Sequence, residues 1–253
     1  MSDQTIVFGI HAVRTLLQRR PERAARLMLQ KGRQDARVNA LLTLAQSAGV
    51  DTRYCDTREL DRLAGHQRHQ GACLQVHAMG ALGEGALDEL LDRAAAAPLL
   101  LVLDGVQDPH NLGACLRTAD AAGVTAVIVP RDRAAGLSPA VRKVASGAAE
   151  TMPLIQVVNL ARTLRWLKER DIWIVGADGQ ATTRAYQATL DGPLALVLGA
   201  EEQGLRRLTR EQCDLLVGIP MQGVVESLNV SVASGILLYE AVRQRETAAA
   251  RRR

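Results

Sequence analysis

Aromatic residues are scarce in this sequence: Phe, Trp and Tyr together make up 2% of its 253 residues. A surface that binds nucleic-acid bases mainly by stacking them on aromatic rings is therefore excluded. Cysteines are few and lie far apart, with no C-x-x-C pair, which argues against a structural zinc site and against a disulfide framework. The four cysteines are Cys55, Cys73, Cys115 and Cys213.

Long apolar runs are also missing, because none reaches the roughly 18 residues that a membrane-spanning helix needs. The first residues, MSDQTIVFGIHAV, lack a basic segment followed by an apolar core, so we expect no secretory signal. Scattered cysteines suit a reducing compartment. Together these features predict a cytoplasmic protein that binds no membrane and no metal.

The formal net charge is +4, and the charge is unevenly distributed. Residues 1–80 carry 12 Lys and Arg against 7 Asp and Glu. A basic first third is typical of a module that binds nucleic acid, since cations attract the phosphate backbone. An excess of this size also occurs on surfaces without a binding role, so charge alone leaves both interpretations open.

The order of helical and extended patterns divides the chain into two α/β domains. Residues 1–78 alternate amphipathic helices with short strands, and we interpret them as one compact domain. Residues 79–97 contain three glycines and a short acidic helix, which is typical of a linker. We place a second domain at 98–246 and a C-terminal tail at 247–253.

The second domain is predicted to contain a mostly parallel sheet. Its strands, among them 99–104 and 194–199, are continuously apolar and alternate with helices. Strands of this kind are buried on both faces of a parallel sheet. Ligands of such sheets bind outside the carboxyl ends of the strands. We therefore expect the chemistry in the loops that start at Asp104, Gly199 and Pro220.

The first segment after a strand end covers residues 104–120 (DGVQDPHNLGACLRTAD). Asn111 is expected to cap the helix that follows. Gly113 permits close approach by another backbone, and Arg117 lies near the same side of the helix as Asn111. A capped helix with an outward arginine would have the same pattern.

The second segment, residues 198–205 (LGAEEQGL), places Glu201 and Glu202 between two glycines after a buried strand. It matches neither the G-x-G-x-x-G dinucleotide fingerprint nor the Walker phosphate loop. A surface turn with solvated glutamates would have the same pattern, so this segment alone identifies no activity.

The third segment, residues 219–242 (IPMQGVVESLNVSVASGILLYEAV), joins a strand to the last helix. Glu226 is expected to be buried, and Ser227 and Asn229 are typical of a helix start. Ser and Gly residues inside the helix lower its intrinsic stability, by about 1 kcal/mol for glycine. We therefore expect this helix to pack closely against a neighbouring helix or loop.

In this order the three segments resemble the three motifs of the TrmH-type SpoU branch of the SPOUT RNA methyltransferases. The matching stretches are NLGACLR (111–117), LGAEEQG (198–204) and IPM…SLNVSVA (219–233), and the resemblance extends over nearly the whole chain, including the N-terminal GIHAV…HQG region. It implies an α/β catalytic domain whose C-terminal part is threaded into a deep trefoil knot. It also implies that residues 1–78 form an L30e-like domain that binds the RNA substrate.

The resemblance implies S-adenosylmethionine as cofactor and a ribose 2′-hydroxyl of RNA as methyl acceptor. The sequence is most similar to bacterial enzymes that modify a guanosine of 23S ribosomal RNA in the peptidyl-transferase region. Carried over by motif, the backbone around Gly199, Ile219 and Leu228 holds the cofactor. The catalytic set that the resemblance implies is Asn111, Arg117, Glu201, Ser227 and Asn229.

Within this set, Arg117 is expected to fix a phosphate and to stabilise negative charge that develops on the ribose oxygen. A guanidinium stays protonated in proteins, so it is not expected to act as the general base. Glu201 either holds the second segment in shape or complements the positive sulfonium, and we favour the first role. Three residues depart from the family pattern at the pocket: Glu202, Gln203 and Glu226.

The resemblance also implies a homodimer with composite sites, paired partly through the small residues of the last helix. RNA is expected to contact the basic N-terminal domain. The expected phosphate contacts are Arg14, Arg19, Arg20, Arg23 and Lys31.

Three alternatives remain. A transfer-RNA 2′-O-methyltransferase of the same branch usually has a helical extension or a basic tail rather than a separate N-terminal domain. A non-catalytic RNA-binding relative would have lost motif residues, which are all present here. A nicotinamide-dependent oxidoreductase would carry a glycine fingerprint after the first strand, and this sequence has none.

Overall fold

The structure of the chain, a computed structural model, describes residues 4–77, 79–201 and 203–251. It contains two compact units, each built around its own sheet. Unit 1 consists of Met1–Gly80 and Ser146–Thr151, and unit 2 consists of Ala81–Ala145 and Met152–Arg253.

Unit 1 contains a four-stranded mixed sheet. Its strands are β1 (Gln4–Phe8), β2 (Ala24–Gln30), β3 (Asp51–Cys55) and β4 (Ala72–His77), and its helices are α1 (Ile10–Arg19), α2 (Ala36–Ser47) and α3 (Thr57–Leu63). The strand order is β1-β4-β2-β3; β4 pairs antiparallel with β1 and β2, and β2 pairs parallel with β3. The alternation of helices and short strands predicted for residues 1–78 agrees with these elements.

Unit 2 contains a seven-stranded sheet with helices between its strands. The strands are β5 (Leu99–Asp104), β6 (Ala126–Pro130), β7 (Leu154–Val157), β8 (Trp173–Ala177), β9 (Thr183–Arg184), β10 (Leu194–Gly199) and β11 (Leu215–Gly218). The helices are α4 (Glu84–Asp92), α5 (Pro109–Ala121), α6 (Pro139–Ala145), α7 (Leu160–Glu169), α8 (Arg207–Gln212) and α9 (Val230–Arg251). Single turns of 3₁₀ helix lie at Pro21–Arg23, Ala148–Glu150 and Ala185–Gln187.

The strand order of this sheet is β7-β6-β5-β10-β8-β11-β9, and every neighbouring pair runs parallel. The prediction of a mostly parallel sheet is therefore confirmed. All six residues of β5 are buried, as expected for an unbroken apolar strand in the middle of such a sheet. The trefoil knot stays a prediction.

Helices cover both faces of the sheet. On one face, α4 and α7 bury leucines, among them Leu87 and Leu164, against alternate strand residues such as Leu100 and Ile128. Helices α5 and α9 pack against each other and against β6 and β10. Because the helices lie on the faces of the sheet, the loops at the carboxyl ends of the strands are available to form the site.

Helix α4 lies inside the stretch 79–97 that the sequence analysis interprets as a linker. Leu91 is buried in the core of unit 2, and Leu82 forms a parallel bridge with Ile155. Glu84 accepts a hydrogen bond from the backbone N–H of Val158 at 2.9 Å. Most of this stretch is thus packed into unit 2, and the boundaries at 78 and 97 stay a prediction.

The C-terminal residues are helical where the structure describes them. Helix α9 continues to Arg251, so the predicted tail at 247–253 begins as part of this helix. Arg252 and Arg253 lie outside the described residues.

Gly113 lies where α5 and α6 approach most closely. A Cβ at this position would be 2.7 Å from the Cβ of Val144 and 2.9 Å from the carbonyl oxygen of Val141. Only glycine fits without a shift of the α6 backbone. The prediction that Gly113 permits close approach by another backbone is confirmed.

Replacing Gly113 with alanine should destabilise unit 2 by about 1–3 kcal/mol, the usual cost of overpacking. Gly85→Ala is the matched control, because Gly85 also lies in a helix but nothing lies within 4 Å of its Cβ position. That variant should gain about 0.5–1 kcal/mol, since alanine loses less backbone entropy than glycine on folding. Urea unfolding followed by circular dichroism measures both, and a Gly113→Ala protein as stable as the wild type would contradict the packing argument.

Candidate active site

The three segments singled out in the sequence leave the sheet of unit 2 at one edge. They follow β5, β10 and β11, which run parallel and lie close together in the sheet order. The carboxyl ends of parallel strands lie at the same side, so side chains of these segments meet although they are distant in sequence.

The second segment folds back on itself at the end of β10. The backbone N–H of Gly204 donates to the carbonyl of Ala200 at 2.8 Å. A Cβ on Gly199 would lie 2.0 Å from the carbonyl carbon of Gly204, so this position requires glycine. Gly204 has a φ of +61°, in the left-handed region that favours glycine. The two glycines that bracket the glutamates thus shape a tight turn.

Asn111 does not cap α5, contrary to expectation. Asp108 is the N-cap, its carboxylate accepts from the backbone N–H of His110 at 2.8 Å, and Pro109 occupies the first helical position. Proline is favoured there because it lacks a backbone N–H, and the N–H at the first helical position has no partner within the helix. Asn111 consequently lies within the first turn of α5, buried, with its amide facing Glu201.

Glu201 connects all three segments through hydrogen bonds to one carboxylate oxygen. Its Oε1 accepts from Nδ2 of Asn111 at 3.0 Å and from Nδ2 of Asn229 at 2.6 Å. Nδ2 of Asn229 also donates a hydrogen bond to Oδ1 of Asn111 at 2.9 Å. We refer to Asn111, Glu201 and Asn229 as the amide–carboxylate triad.

Asn229 also caps α9, as its position in the sequence predicts. Its Oδ1 accepts from the backbone N–H of Ser231 at 2.9 Å and from the Ser231 hydroxyl at 2.6 Å. Ser227 lies before the helix, on an exposed loop. Glu226 is exposed as well, so the expectation that it is buried is wrong; its side chain lies on the irregular stretch before α9 rather than in a core.

Helix α9 packs closely against α5, as its small residues predict. Ser234 is fully buried, and its hydroxyl lies 3.6 Å from Sγ of Cys115. A Cβ on Gly235 would be 3.6 Å from the methyl group of Thr118. Burial raises the pKa of the Cys115 thiol to about 11, so this thiol stays neutral.

Two cavities adjoin the triad. Cavity A has a volume of about 190 Å³ and is lined by the ends of β8, β10 and β11 together with the third segment. Cavity B has a volume of about 320 Å³ and lies between the first and second segments. Both cavities share the same wall, made of Ala200, Glu201, Gly204 and Val230.

The cavities bring most of the predicted site residues together. Cavity A is lined by five of them and cavity B by two, with Glu201 in both. Those of cavity A are Gly199, Glu201, Ser227, Leu228 and Ile219; those of cavity B are Asn111 and Glu201. Gln203 lines cavity B and Glu226 lines cavity A, whereas Glu202 lies outside the described residues.

Among the predicted catalytic residues, Arg117 lies away from both cavities and from the triad. It lies on α5 eight residues after Pro109, the first residue of this helix, is exposed, and lines neither cavity. Its guanidinium forms no ion pair within the described part of this chain.

Sequence reasoning missed one side of each cavity. Ala177, Asp178 and Gly179, which follow β8, line cavity A. The strand end IVGAD was itself a signal, because β8 ends at the same edge as the other strands. Asp104, Arg133 and Arg206 line cavity B. Asp104 was expected only as the start of a loop that carries the chemistry, and no local pattern distinguishes Arg133 and Arg206, since these positions converge only in the folded chain.

The predicted phosphate contacts of unit 1 divide into two groups. Arg14, Arg19 and Lys31 are exposed, and Arg20 is partly exposed. Arg23 is different: it is largely buried and donates to the Glu150 carboxylate and to the carbonyl of His77, both at 2.6 Å. Arg23 therefore holds the segment Ser146–Thr151 within unit 1 and is not a free surface cation.

The part of the chain that the structure describes contains neither a candidate metal site nor a membrane-spanning helix. No group of three or more His, Cys, Asp or Glu side chains in residues 4–77, 79–201 and 203–251 is placed to hold a metal ion. Within the same ranges, no helix is long and apolar enough to span a bilayer.

Comparison with protein families gives two matches that follow the two units. A model of the SpoU rRNA methylase family matches residues 98–239. A model described as RNA 2′-O ribose methyltransferase substrate binding matches residues 6–79.

Curated relatives resemble the chain over its whole length. It is 56% identical over 247 residues to the 23S rRNA (guanosine-2′-O-)-methyltransferase RlmB of Shewanella oneidensis, which covers 98% of this chain and 100% of the relative. It is 54% identical over 245 residues to the protein of the same name from Pseudomonas aeruginosa, with 97% and 98% covered.

Solved structures share the fold. A crystal structure of an RNA 2′-O ribose methyltransferase is 28% identical with a TM-score of 0.73, covering 97% of this chain and 90% of that one. The SpoU methyltransferase AviRb from Streptomyces viridochromogenes, in complex with the cofactor AdoMet, is 24% identical with a TM-score of 0.73, covering 96% and 91%. The second likeness concerns the fold alone.

Proposed function

The chain belongs to the SpoU rRNA methylase family, and we propose that it transfers a methyl group from S-adenosylmethionine to the ribose 2′-hydroxyl of one guanosine in 23S ribosomal RNA. The observation that carries this proposal is the shared wall of cavities A and B at Glu201. Methyl transfer needs donor and acceptor in adjoining sites, aligned for in-line attack. The full-length likeness to guanosine-2′-O-methyltransferases of 23S rRNA supports the choice of substrate.

The residues around cavity A fit this cofactor. Ile219, Leu228 and Val230 provide apolar contacts suited to an adenine ring, and the exposed carboxylate of Glu226 suits the ammonium group of the zwitterionic amino acid end. When bound, S-adenosylmethionine supplies a methyl group on a positive sulfur. We assign Gly199, Ile219 and Leu228 to holding the cofactor through the backbone at these strand ends.

On the acceptor side, the triad positions groups rather than moving a proton. Both amides of Asn111 and Asn229 donate to the same oxygen of Glu201, so their geometry is fixed before RNA binds. Ser227, on the exposed loop of cavity A, is placed to contact the acceptor ribose or the cofactor. We assign the role of phosphate anchor to Arg117, because its permanent charge pairs with a phosphate and stabilises a developing alkoxide.

We propose that the enzyme is a homodimer in which Arg117 completes the site of the partner subunit. The supporting observation is that Arg117 is exposed and outside both cavities of its own chain. Val232 and Tyr239 of α9 are half-exposed apolar side chains, which suits a surface that pairs with another copy.

We assign RNA binding to unit 1, whose exposed cations Arg14, Arg19 and Lys31 and partly exposed Arg20 offer phosphate contacts. Arg23 is left out of this set because Glu150 neutralises it. The reaction is placed in the cytoplasm, where ribosomal RNA is available. A transfer RNA substrate is less well supported, since the relatives with high identity act on 23S rRNA by name.

Mapping of 2′-O-methylation on ribosomal RNA tests the reaction. Cells that lack the gene should lose the 2′-O-methyl group of a single guanosine in the peptidyl-transferase region of 23S rRNA. Re-expression of the wild type should restore the mark and Arg117→Ala should not. Unchanged ribosomal RNA together with a lost mark on a transfer RNA would contradict the proposal.

A mixture of two inactive variants tests the composite site. Arg117→Ala and Asn111→Ala should each be inactive alone, but mixed dimers should hold one intact site and recover about a quarter of wild-type activity after subunit exchange. Methylation of a 23S rRNA fragment measures this. A mixture no more active than its components would place Arg117 and Asn111 in the same chain's site.

Glu201→Gln and Glu201→Ala separate the two roles of this carboxylate. The glutamine oxygen can still accept from Asn111 and Asn229, so Glu201→Gln should bind S-adenosylmethionine within about threefold of the wild type, whereas Glu201→Ala should lose more than about tenfold. Calorimetry with S-adenosylmethionine and with S-adenosylhomocysteine, whose sulfur carries no charge, measures both. If Glu201→Gln weakened only the positively charged ligand, the carboxylate would instead complement the sulfonium.

A further inference from the structure

Cavity B contains charged groups that the proposed reaction does not use. Asp104, Arg133 and Arg206 line it together with Asp108 and Glu201. Because cavity A suits the cofactor and the two cavities share the wall at Glu201, the nucleotide that receives the methyl group must occupy cavity B. This step rests on the proposed function.

Asp104 is an unusual residue in this cavity. It ends the interior strand β5, and its side chain is fully buried. Its Oδ2 accepts from the backbone N–H of Arg206 at 3.0 Å. Its Oδ1 accepts no hydrogen bond from the residues that the structure describes and lies 3.5 Å from Nε of Arg206. A buried carboxylate is costly unless it is paired, so Asp104 strongly favours this position of Arg206.

Gly105 lies against the same guanidinium. A Cβ on Gly105 would lie 2.9 Å from Nη2 of Arg206, so the guanidinium rests on the glycine backbone. The φ of Gly105 is +84°, which also favours glycine. The Arg206 guanidinium thus lies between a buried carboxylate and the backbone of a glycine. Its side chain remains 41% exposed, and within the described ranges its Nη1 and Nη2 donate to no protein acceptor.

The charge of cavity B distinguishes between possible ligands. Three carboxylates, Asp104, Asp108 and Glu201, face two guanidiniums, Arg133 and Arg206. A net negative lining disfavours a phosphate, which would bring further negative charge. A neutral nucleobase has no such penalty, and a guanidinium edge matches the O6 and N7 acceptors of guanine as a bidentate pair.

We propose that Arg206, held in place by Asp104 and Gly105, recognises the guanine base of the acceptor nucleotide in cavity B through hydrogen bonds to O6 and N7. Adenine offers an amino group where guanine has O6, so it would meet the guanidinium donor-to-donor. Arg206 is therefore a specificity-determining residue, and Asp104 is a positioning residue that acts through it.

The test is single-turnover methylation of a 23S rRNA fragment that carries guanosine, inosine, 7-deazaguanosine or adenosine at the acceptor position. The wild type should accept inosine, which keeps O6 and N7, and should discriminate against adenosine by about 10- to 100-fold, the range of a good bidentate pair. Loss of N7 alone in 7-deazaguanosine should give a smaller decrease.

Arg206→Ala should lower the rate with guanosine and abolish the preference over adenosine, while calorimetry shows unchanged affinity for S-adenosylmethionine. Arg207→Ala is the matched control, because Arg207 lies outside both cavities and pairs with Glu211. It should keep the rate and the preference of the wild type.

Since Arg206→Ala leaves Asp104 without its cation, thermal unfolding is measured in parallel. If that variant does not fold, the double variant Asp104→Asn/Arg206→Gln removes both charges together and is assayed in its place, with the same loss of preference expected. Asp104→Asn alone should lower the guanosine preference while Arg206 is retained, as a positioning role requires.

Three outcomes would overturn the inference while leaving the proposed function intact: a folded Arg206 variant that still prefers guanosine, a wild type that methylates adenosine equally well, or an equal decrease with all four nucleotides. The last result would show that Arg206 contacts a phosphate. A wild type that methylates none of the fragments would instead contradict the proposed function.

Discussion

A single carboxylate oxygen holds the site together. Oε1 of Glu201 accepts from the amides of Asn111 and Asn229, which belong to segments distant in sequence. Ordering three loops costs conformational entropy, and a shared acceptor offsets this cost with two hydrogen bonds at once. Removal of either donor would leave a partly satisfied network, which is less stable than a complete one. The shapes of cavities A and B both depend on this contact, since Glu201 forms part of their common wall.

The parallel sheet explains why the chemistry is gathered at one edge. With every strand pair parallel, each carboxyl end contributes a loop to the same region, and the intervening helices are kept to the faces. Cavity A is formed by the ends of β8, β10 and β11 with the third segment, whereas cavity B is formed mainly by the loops after β5 and β10. Because the loop after β10 lines both cavities, its tight turn between Gly199 and Gly204 shapes the wall that they share.

Much of this fold was predictable because its strands are unbroken apolar runs such as 99–104 and 194–199. Helix α8 was not, since RLTREQ has no clear apolar periodicity and is ordered by packing against α7. Asn111 was assigned as a cap because its type favours that position, but Asp108 followed by proline is a stronger helix start. The family motifs identified the triad, whereas cavity B was beyond prediction because side chains from three loops define it.

The pairing of Arg23 with Glu150 links unit 1 to residues far downstream in the chain. A ribosome delivers the polypeptide from its N-terminus, so all strands of the first sheet emerge long before Ser146–Thr151 does. During that interval the nascent domain lacks the carboxylate that neutralises its buried arginine. Completion of this small domain is therefore delayed until more than a third of the second one has been synthesised, which couples the maturation of the two units in time.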